Sequence, residues 1–195
     1  MNDFIKRFQK IVKKFPNNIA LHVNNYASYT YMDLEQKSNA LASFLLEKNI
    51  TPNCLIVLMI EKSAEYIIAL LAVWKIECAF IPLDPELPIE RKNFILKETN
   101  PAGILYKNNN GNYYYDLMHN NAYILNLAYI IFTSGSSGFP KGAMISHAGI
   151  MPFIDAQIKA FNLNSNSKVL FYISTQFDAS ISDIGTTLLS GATLV

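Results

Sequence analysis

Two uninterrupted apolar runs, Cys54 to Ile60 (CLIVLMI) and Cys78 to Leu83 (CAFIPL), flank a segment with helical character, and together they restrict the fold more than any other feature. A run without polar alternation suits a strand covered on both faces, as happens where helices pack on a parallel sheet. Between the runs, Ser63 stands where an N-cap belongs for a helix from Ala64 to about Ile76. Strand, helix and strand in that order imply parallel pairing through a right-handed crossover. The predicted class is α/β, with mostly parallel sheets covered by helices.

The flanking sequence continues the alternation. Phe4, Ile5, Phe8, Ile11, Val12 and Phe15 form one stripe of an amphipathic helix whose solvated side carries Lys6, Arg7, Lys10, Lys13 and Lys14. Ile19 to Val23 and Ser28 to Tyr31 read as strands joined at Asn24-Asn25, and Asp33 occupies an N-cap position for a helix running to about Lys48. Pro82, Pro85 and Pro88 mark an extended corner before a helix from Ile89 to Glu98 and a strand from Gly103 to Tyr106. Lys107 to Asn121 reads as a loop, since its asparagines match a chain-wide excess of 20 Asn. Further on come a strand at Leu127 to Phe132, a Ser146-capped helix from about Ala148 to Phe161, a strand at Lys168 to Ile173, a helix from Ser180 to Leu189, and a strand opening at Ala192 to Val195. The chain ends inside that last element, and the expectation is of a truncated domain.

Composition excludes several function classes. A net charge of +1 and scattered basic residues leave no face for nucleic acid. The longest apolar run, Tyr66 to Trp74, is too short to span a bilayer, and the basic first segment contains Asp3 and no serine, unlike a transit peptide. Cys54 and Cys78 lie in apolar runs and read as reduced, buried thiols. His22, His119 and His147 show no ligand spacing, so no metal site is expected, and the default location is cytoplasmic.

Chemistry concentrates at Leu127 to Gly142, LAYIIFTSGSSGFPKG, where an apolar strand breaks into hydroxyls and glycines and ends in a lysine. Gly135, Gly138 and Gly142 allow the backbone to approach a ligand closely, and such a turn presents N–H groups to phosphate oxygens. Thr133, Ser134, Ser136 and Ser137 add hydroxyl donors, and Lys141 adds a mobile positive charge. The spacing is neither that of a Walker A loop, because Lys141 follows Pro140 and precedes Gly142, nor that of a dinucleotide fingerprint. A solvated Gly/Ser linker is the competing reading, and the strand before the cluster and the helix-like segment after it argue against it.

Residues 132 to 142, FTSGSSGFPKG, resemble the phosphate-binding motif of adenylate-forming enzymes, the superfamily of acyl-CoA synthetases, luciferases and nonribosomal-peptide adenylation domains. Tyr31-Met32-Asp33-Leu34, Ile81-Pro82-Leu83-Asp84-Pro85 with Pro88, Glu90 and Arg91, and Phe177-Asp178-Ala179-Ser180 resemble further motifs of that superfamily, so the likeness spans nearly the whole chain. It implies that Thr133 to Gly138, with Lys141 and Gly142 beside them, hold the β- and γ-phosphates of ATP. Asp178 would pair with the α-ammonium of an amino-acid substrate, and Ala179 and Ser182 would line its side-chain pocket; helix capping is the alternative role for Asp178. The expected reaction is attack of a carboxylate on the α-phosphate, giving an aminoacyl-adenylate and pyrophosphate.

Two departures matter. Ile76-Glu77-Cys78 stands where the superfamily has a Gly-Gly or Ala-Gly pair. The acidic Mg²⁺ motif, the ribose-binding aspartate and the lid lysine are absent, so no catalytic residue is assigned and the isolated chain is expected to be inactive, as the N-terminal portion of an incomplete adenylation core spanning 1–195. His147 resembles a histidine that follows the phosphate loop and is read as structural. The alternatives are an acyl-CoA or fatty-acyl-AMP ligase fragment and a non-enzymatic nucleotide- or partner-binding remnant. Expected partners are the carboxylic acid and either a carrier protein or the missing C-terminal half.

Overall fold

The computed structural model describes residues 2–23, 27–108, 111–118, 124–133 and 140–195. The sequence order is α1 (Asp3–Lys14), β1 (Ile19–Val23), β2 (Ala27–Thr30), α2 (Tyr31–Glu47), β3 (Leu55–Met59), α3 (Ala64–Lys75), β4 (Ala79–Pro82), α4 (Ile89–Thr99), β5 (Gly103–Lys107), β6 (Tyr113–Leu117), β7 (Leu127–Thr133), β8 (Lys141–Ser146), α5 (His147–Ala160), β9 (Lys168–Val169), α6 (Ala179–Ser190) and β10 (Thr193–Leu194). A six-stranded sheet runs β6-β5-β3-β4-β7-β8 and a four-stranded sheet runs β2-β1-β10-β9. Pairing is parallel for β3 with β4 and β5, for β4 with β7, and for β10 with β1 and β9; β6, β8 and β2 join antiparallel. The α/β class is as predicted.

The β3-α3-β4 unit forms as its sequence requires. Ser63 accepts a hydrogen bond from the Tyr66 amide, Leu55 pairs with Ala79, and α3 is buried from Ala64 to Trp74. Trp74 anchors this region: its indole N–H donates to the Ala128 carbonyl at 3.0 Å, and its ring meets Phe4 and Phe80 at centroid distances of 4.7 and 5.7 Å. One face of the six-stranded sheet packs on a large core that includes α1 and α3; the other packs Leu55, Val57, Ile81 and Ile130 against Ile95 of α4. Lys75, at the end of α3, is nearly enclosed and donates to the Glu35 carboxylate, the Ser38 hydroxyl and the Asn39 side-chain carbonyl at 2.7 Å each. Cys54 and Cys78 are both buried thiols, and burial pushes Cys78 up to about 12.

Several local expectations are corrected. Asp33 is not the N-cap of α2: Thr30 is, and Asp33 closes a reciprocal capping box by accepting from the Thr30 amide at 2.8 Å while Thr30 Oγ1 accepts from the Asp33 amide at 3.0 Å. The Lys107 to Asn121 loop contains β6, because tyrosines suit a pleated surface and Tyr115 covers the bare Cα of Gly103, where any Cβ would collide with its ring at 2.3 Å. The residues that follow the glycine-rich loop form β8 before the helix begins. The strand expected at Lys168 to Ile173 ends at Val169, since β10 supplies a ladder only that far, and the Asn24-Asn25 turn lies outside the described residues. Asparagines at 49, 53, 100, 126 and 162 hold left-handed φ values, so these five serve turn geometry and are more than compositional drift.

Candidate functional site

β3, β4 and β7 point the same way, so their carboxyl ends bring Lys62, Asp84 and Thr133 to one end of the six-stranded sheet. Open parallel sheets bind ligands at that end. Thr133 and Lys141 face each other as the last pair of the β7–β8 hairpin, with the Thr133 hydroxyl 3.5 Å from the Lys141 carbonyl. Directly opposed residues of an antiparallel pair share a face, so Thr133 and Lys141 project to the same side, at the base of the glycine-rich loop. Both are exposed. Ser134, Gly135, Ser136, Ser137 and Gly138 lie outside the described residues. Gly142 has a packing reason of its own: a Cβ there would meet Ile130 at 2.9 Å and Phe132 at 3.2 Å.

Asp178 immediately precedes α6 and makes no side-chain capping bond; its backbone is helical, with φ −60° and ψ −29°. Ser180 is no cap either, since its hydroxyl donates to the Phe177 carbonyl at 2.6 Å. The Asp178 carboxylate is exposed. It nevertheless acts on Tyr129, whose hydroxyl is pushed up to about 12 by burial and then by the charge of Asp178. Along β7 the side chains alternate, so Tyr129, Ile131 and Thr133 share a face. Ala179 is half-buried at the first turn of α6. One turn further, the Ser182 hydroxyl donates to the Gln157 side-chain carbonyl of α5, which ties α5 to α6.

A cavity of about 250 Å³ lies between the carboxyl ends of β3 and β4 and the segment leading to Asp178, bounded by Glu61, Lys62, Asp84, Tyr172, Ser174 and Thr175. The Lys62 ammonium spans that boundary, donating to the carbonyls of Phe171 at 3.1 Å and Tyr172 at 2.9 Å. Neither Lys62 nor Tyr129 stood out in the sequence. The one available signal for Lys62 was a charged pair, Glu61-Lys62, closing an apolar strand at its carboxyl end.

A larger cavity, about 670 Å³, is at the opposite end of the sheet among Asn53, Glu77, Asn126 and His147, and none of the predicted site residues line it. His147 begins α5 beyond the far end of the hairpin, about 20 Å from the glycine-rich loop at the rise of a seven-residue strand. Its ring meets Trp74 edge-on at 5.3 Å, and burial holds its pKa down at about 4. Among the described residues, no group of three or more His, Cys, Asp or Glu side chains is placed to hold a metal ion, and no helix is long and apolar enough to cross a membrane.

A family model described as "AMP-binding enzyme" matches residues 8–195. The chain belongs to the AMP-binding enzyme family. Gramicidin S synthase 2 of Brevibacillus brevis is 34% identical over 96% of this chain and 4% of its own length, and tyrocidine synthase 1 of Brevibacillus parabrevis is 31% identical over 96% of this chain and 19% of its own. The AMP-binding chain therefore spans a small part of these relatives. The N-terminal subdomain of Klebsiella oxytoca NpsA, solved with 3-hydroxyanthranilyl-AMSN, superposes with a TM-score of 0.83 at 24% identity, over 100% of this chain and 53% of that one. The four-domain nonribosomal peptide synthetase AB3403, solved with AMP and glycine, gives a TM-score of 0.83 at 24% identity over 99% of this chain and 15% of that one. At that identity the likeness is one of fold, and it agrees with the α/β core described above.

Proposed function

We infer that this chain supplies the ATP-gripping and amine-recognising part of an adenylation unit that activates an amino acid as its aminoacyl-adenylate. The observation that carries the reading is the β7–β8 hairpin, which pairs Thr133 with Lys141 at the carboxyl end of a parallel strand and so sets the two sides of the FTSGSSGFPKG motif next to each other. In this reading Thr133, Ser134 to Gly138 and Lys141 hold the β- and γ-phosphates. Charge on the transferring phosphoryl group is then met by preorganised donors. Gly142 lets the hairpin close.

Asp178 supports an amino acid as the acid being activated, because the carboxylate is committed to no cap and stands available to an ammonium group. Its exposure makes such a pair weak in water, since solvent and salt screen it. Amino-acid recognition therefore requires cover that the described residues do not place over Asp178. On this account residues 1–195 form the N-terminal portion of the unit, and a further stretch or partner supplies the rest of the core and a lid. A carrier protein is the expected acceptor of the activated acyl group, as in the artificially fused adenylation-PCP di-domain NpsA-ThdA, whose structure the chain also resembles. Mg²⁺ is expected with the ATP, and the resemblance puts its acidic ligand in that further stretch.

Two measurements test the reading. Pyrophosphate exchange with mixed amino acids should be undetectable for the chain alone, and robust exchange would overturn the claim that it is inactive by itself. Calorimetric titration with ATP should show binding that weakens about tenfold in Lys141→Ala, the size of one lost charge-assisted contact. An unchanged affinity would remove the phosphate assignment.

A further inference from the structure

The nine-residue segment between β9 and α6, Leu170 to Asp178, has little regular structure to hold it. At its start the Phe171 amide bonds the Val195 carbonyl at 2.7 Å; its last residues join the first turn of α6, where the Phe177 carbonyl accepts from the Ser180 amide at 3.0 Å and the Asp178 carbonyl accepts from the Ile181 amide at 2.9 Å. Tyr172 is 81% exposed and Phe177 59%; Phe171 packs partly buried on the main core, Ile173 and Gln176 are half-buried, and Thr175 is buried at 6%. Against this, Lys62 places its ammonium on two successive carbonyls, those of Phe171 and Tyr172, and 5.2 Å from the centre of the Phe171 ring.

Lys62 is well founded. It follows β3, whose residues Leu55 to Leu58 are fully enclosed, and it precedes Ser63, the cap of the buried helix α3. A charged donor whose base lies between an enclosed strand and a buried helix therefore reaches across the 250 Å³ cavity to the start of a segment whose far end is held by α6. Charge-assisted hydrogen bonds are about twice as strong as neutral ones, and two on adjacent carbonyls restrict both position and rotation.

We propose that Lys62 is a positioning residue for amino-acid recognition: by gathering the Phe171 and Tyr172 carbonyls it holds the 170–178 segment against the carboxyl ends of β3 and β4, and so sets where Asp178 presents its carboxylate. This rests on the reading of Asp178 as the amine-recognising group. Because Lys62 is exposed, its loss frees the segment without opening the core. A purely structural role would change stability alone, whereas a positioning role changes the distinction between ligands with and without an ammonium group.

The test compares Lys62→Met, which keeps the length and loses the donors, with Lys62→Arg, which keeps donors and charge. Hydrogen exchange should rise about tenfold or more for amides in 170–178 of Lys62→Met, remain unchanged in α3, and return near the wild-type rate in Lys62→Arg. Titration with glycyl-sulfamoyl adenosine, which carries the ammonium and no side chain, should weaken about two- to fivefold in Lys62→Met, the range for an exposed ion pair, while the acetyl counterpart binds as to wild type. Unchanged exchange in Lys62→Met, or equal weakening for both compounds, would overturn the proposal. Asp178→Ala separates the two levels. If it leaves the preference for the glycyl compound intact, or if wild type shows no such preference, the reading of Asp178 fails, and the exchange data still decide whether Lys62 ties the segment.

Discussion

In the six-stranded sheet, Leu55, Ile56, Val57, Leu58, Phe80 and Ile81 are fully enclosed, and helices cover both faces. In the four-stranded sheet, β9 and β10 contribute two residues each, and the chain that leaves β9 exposes Leu170 at 66% and Tyr172 at 81%. The two candidate binding elements divide between these regions. The candidate phosphate-binding motif continues from the long strand β7 of the six-stranded sheet, and Asp178 stands between the segment that leaves β9 and the first turn of α6. Gripping a polyphosphate demands donors fixed in advance, whereas an ammonium-recognising carboxylate can be ordered later by cover and by a tie such as Lys62.

The comparison is broken most severely by truncating the anchor of the rigid side. Trp74→Ala should cost about 3–5 kcal/mol, the range for a large aromatic removed from a core, and it also leaves the Ala128 carbonyl without its donor. Urea unfolding measures this directly. If the loss is under about 1 kcal/mol, the six-stranded sheet does not hold the stability assigned to it.

Next comes pH. Burial keeps His147 neutral down to about 4 in the folded chain, against an ordinary value of 6.5. Between those values the unfolded chain binds a proton that the folded chain does not, so stability falls as pH is lowered from about 6.5 toward 4, by about 3 kcal/mol at most. Unfolding midpoints at pH 7.5 and 4.5 should differ strongly in wild type and less in His147→Gln, which removes this titration. An identical pH dependence in the variant would place the acid sensitivity elsewhere.

A smaller and opposite effect is expected at Glu77. It holds φ 60° between α3 and β4, a left-handed conformation that costs a residue with a Cβ about 1–2 kcal/mol. Glu77→Gly should therefore stabilise the rigid side by about 1 kcal/mol, after allowance for the greater freedom of glycine when unfolded, and raise the urea midpoint with an unchanged slope. The smallest effect belongs to the other region: Tyr172→Ala should stay within about 0.5 kcal/mol. A loss as large as that of Trp74→Ala would erase the contrast between the two regions.

Much of this architecture was legible locally. The β3-α3-β4 unit follows from two apolar runs and a capping serine, and its elements fall within a residue or two of their expected bounds. Ile76-Glu77-Cys78 stands out in the sequence as the place of a Gly-Gly or Ala-Gly pair in the resemblance, and the left-handed φ of Glu77 is a conformation that glycine adopts without strain. Other elements were hidden because their state depends on a neighbour. Lys-Gly-Ala-Met-Ile-Ser is mostly exposed and has no strand pattern of its own; β8 is a strand because β7 lies beside it. Tyr113 to Leu117 sits next to asparagines, and β5 with Gly103 makes it a strand. Thr30 and Asp33 are both capping residues, and only the reciprocal bonds show which one is the cap.

By itself, the sequence determined the α/β class, the central strand-helix-strand unit and the run of hydroxyls and glycines in the FTSGSSGFPKG stretch, because hydrophobic period, capping residues and composition are local properties. Tertiary structure decided what surrounds that stretch. It set Thr133 opposite Lys141, brought the charge of Asp178 to bear on Tyr129, and ran the Lys62 side chain to two carbonyls 109 and 110 residues away. The first follows from the antiparallel β7–β8 hairpin, and sequence separation says nothing about the other two, which arise only when distant segments meet in the folded chain.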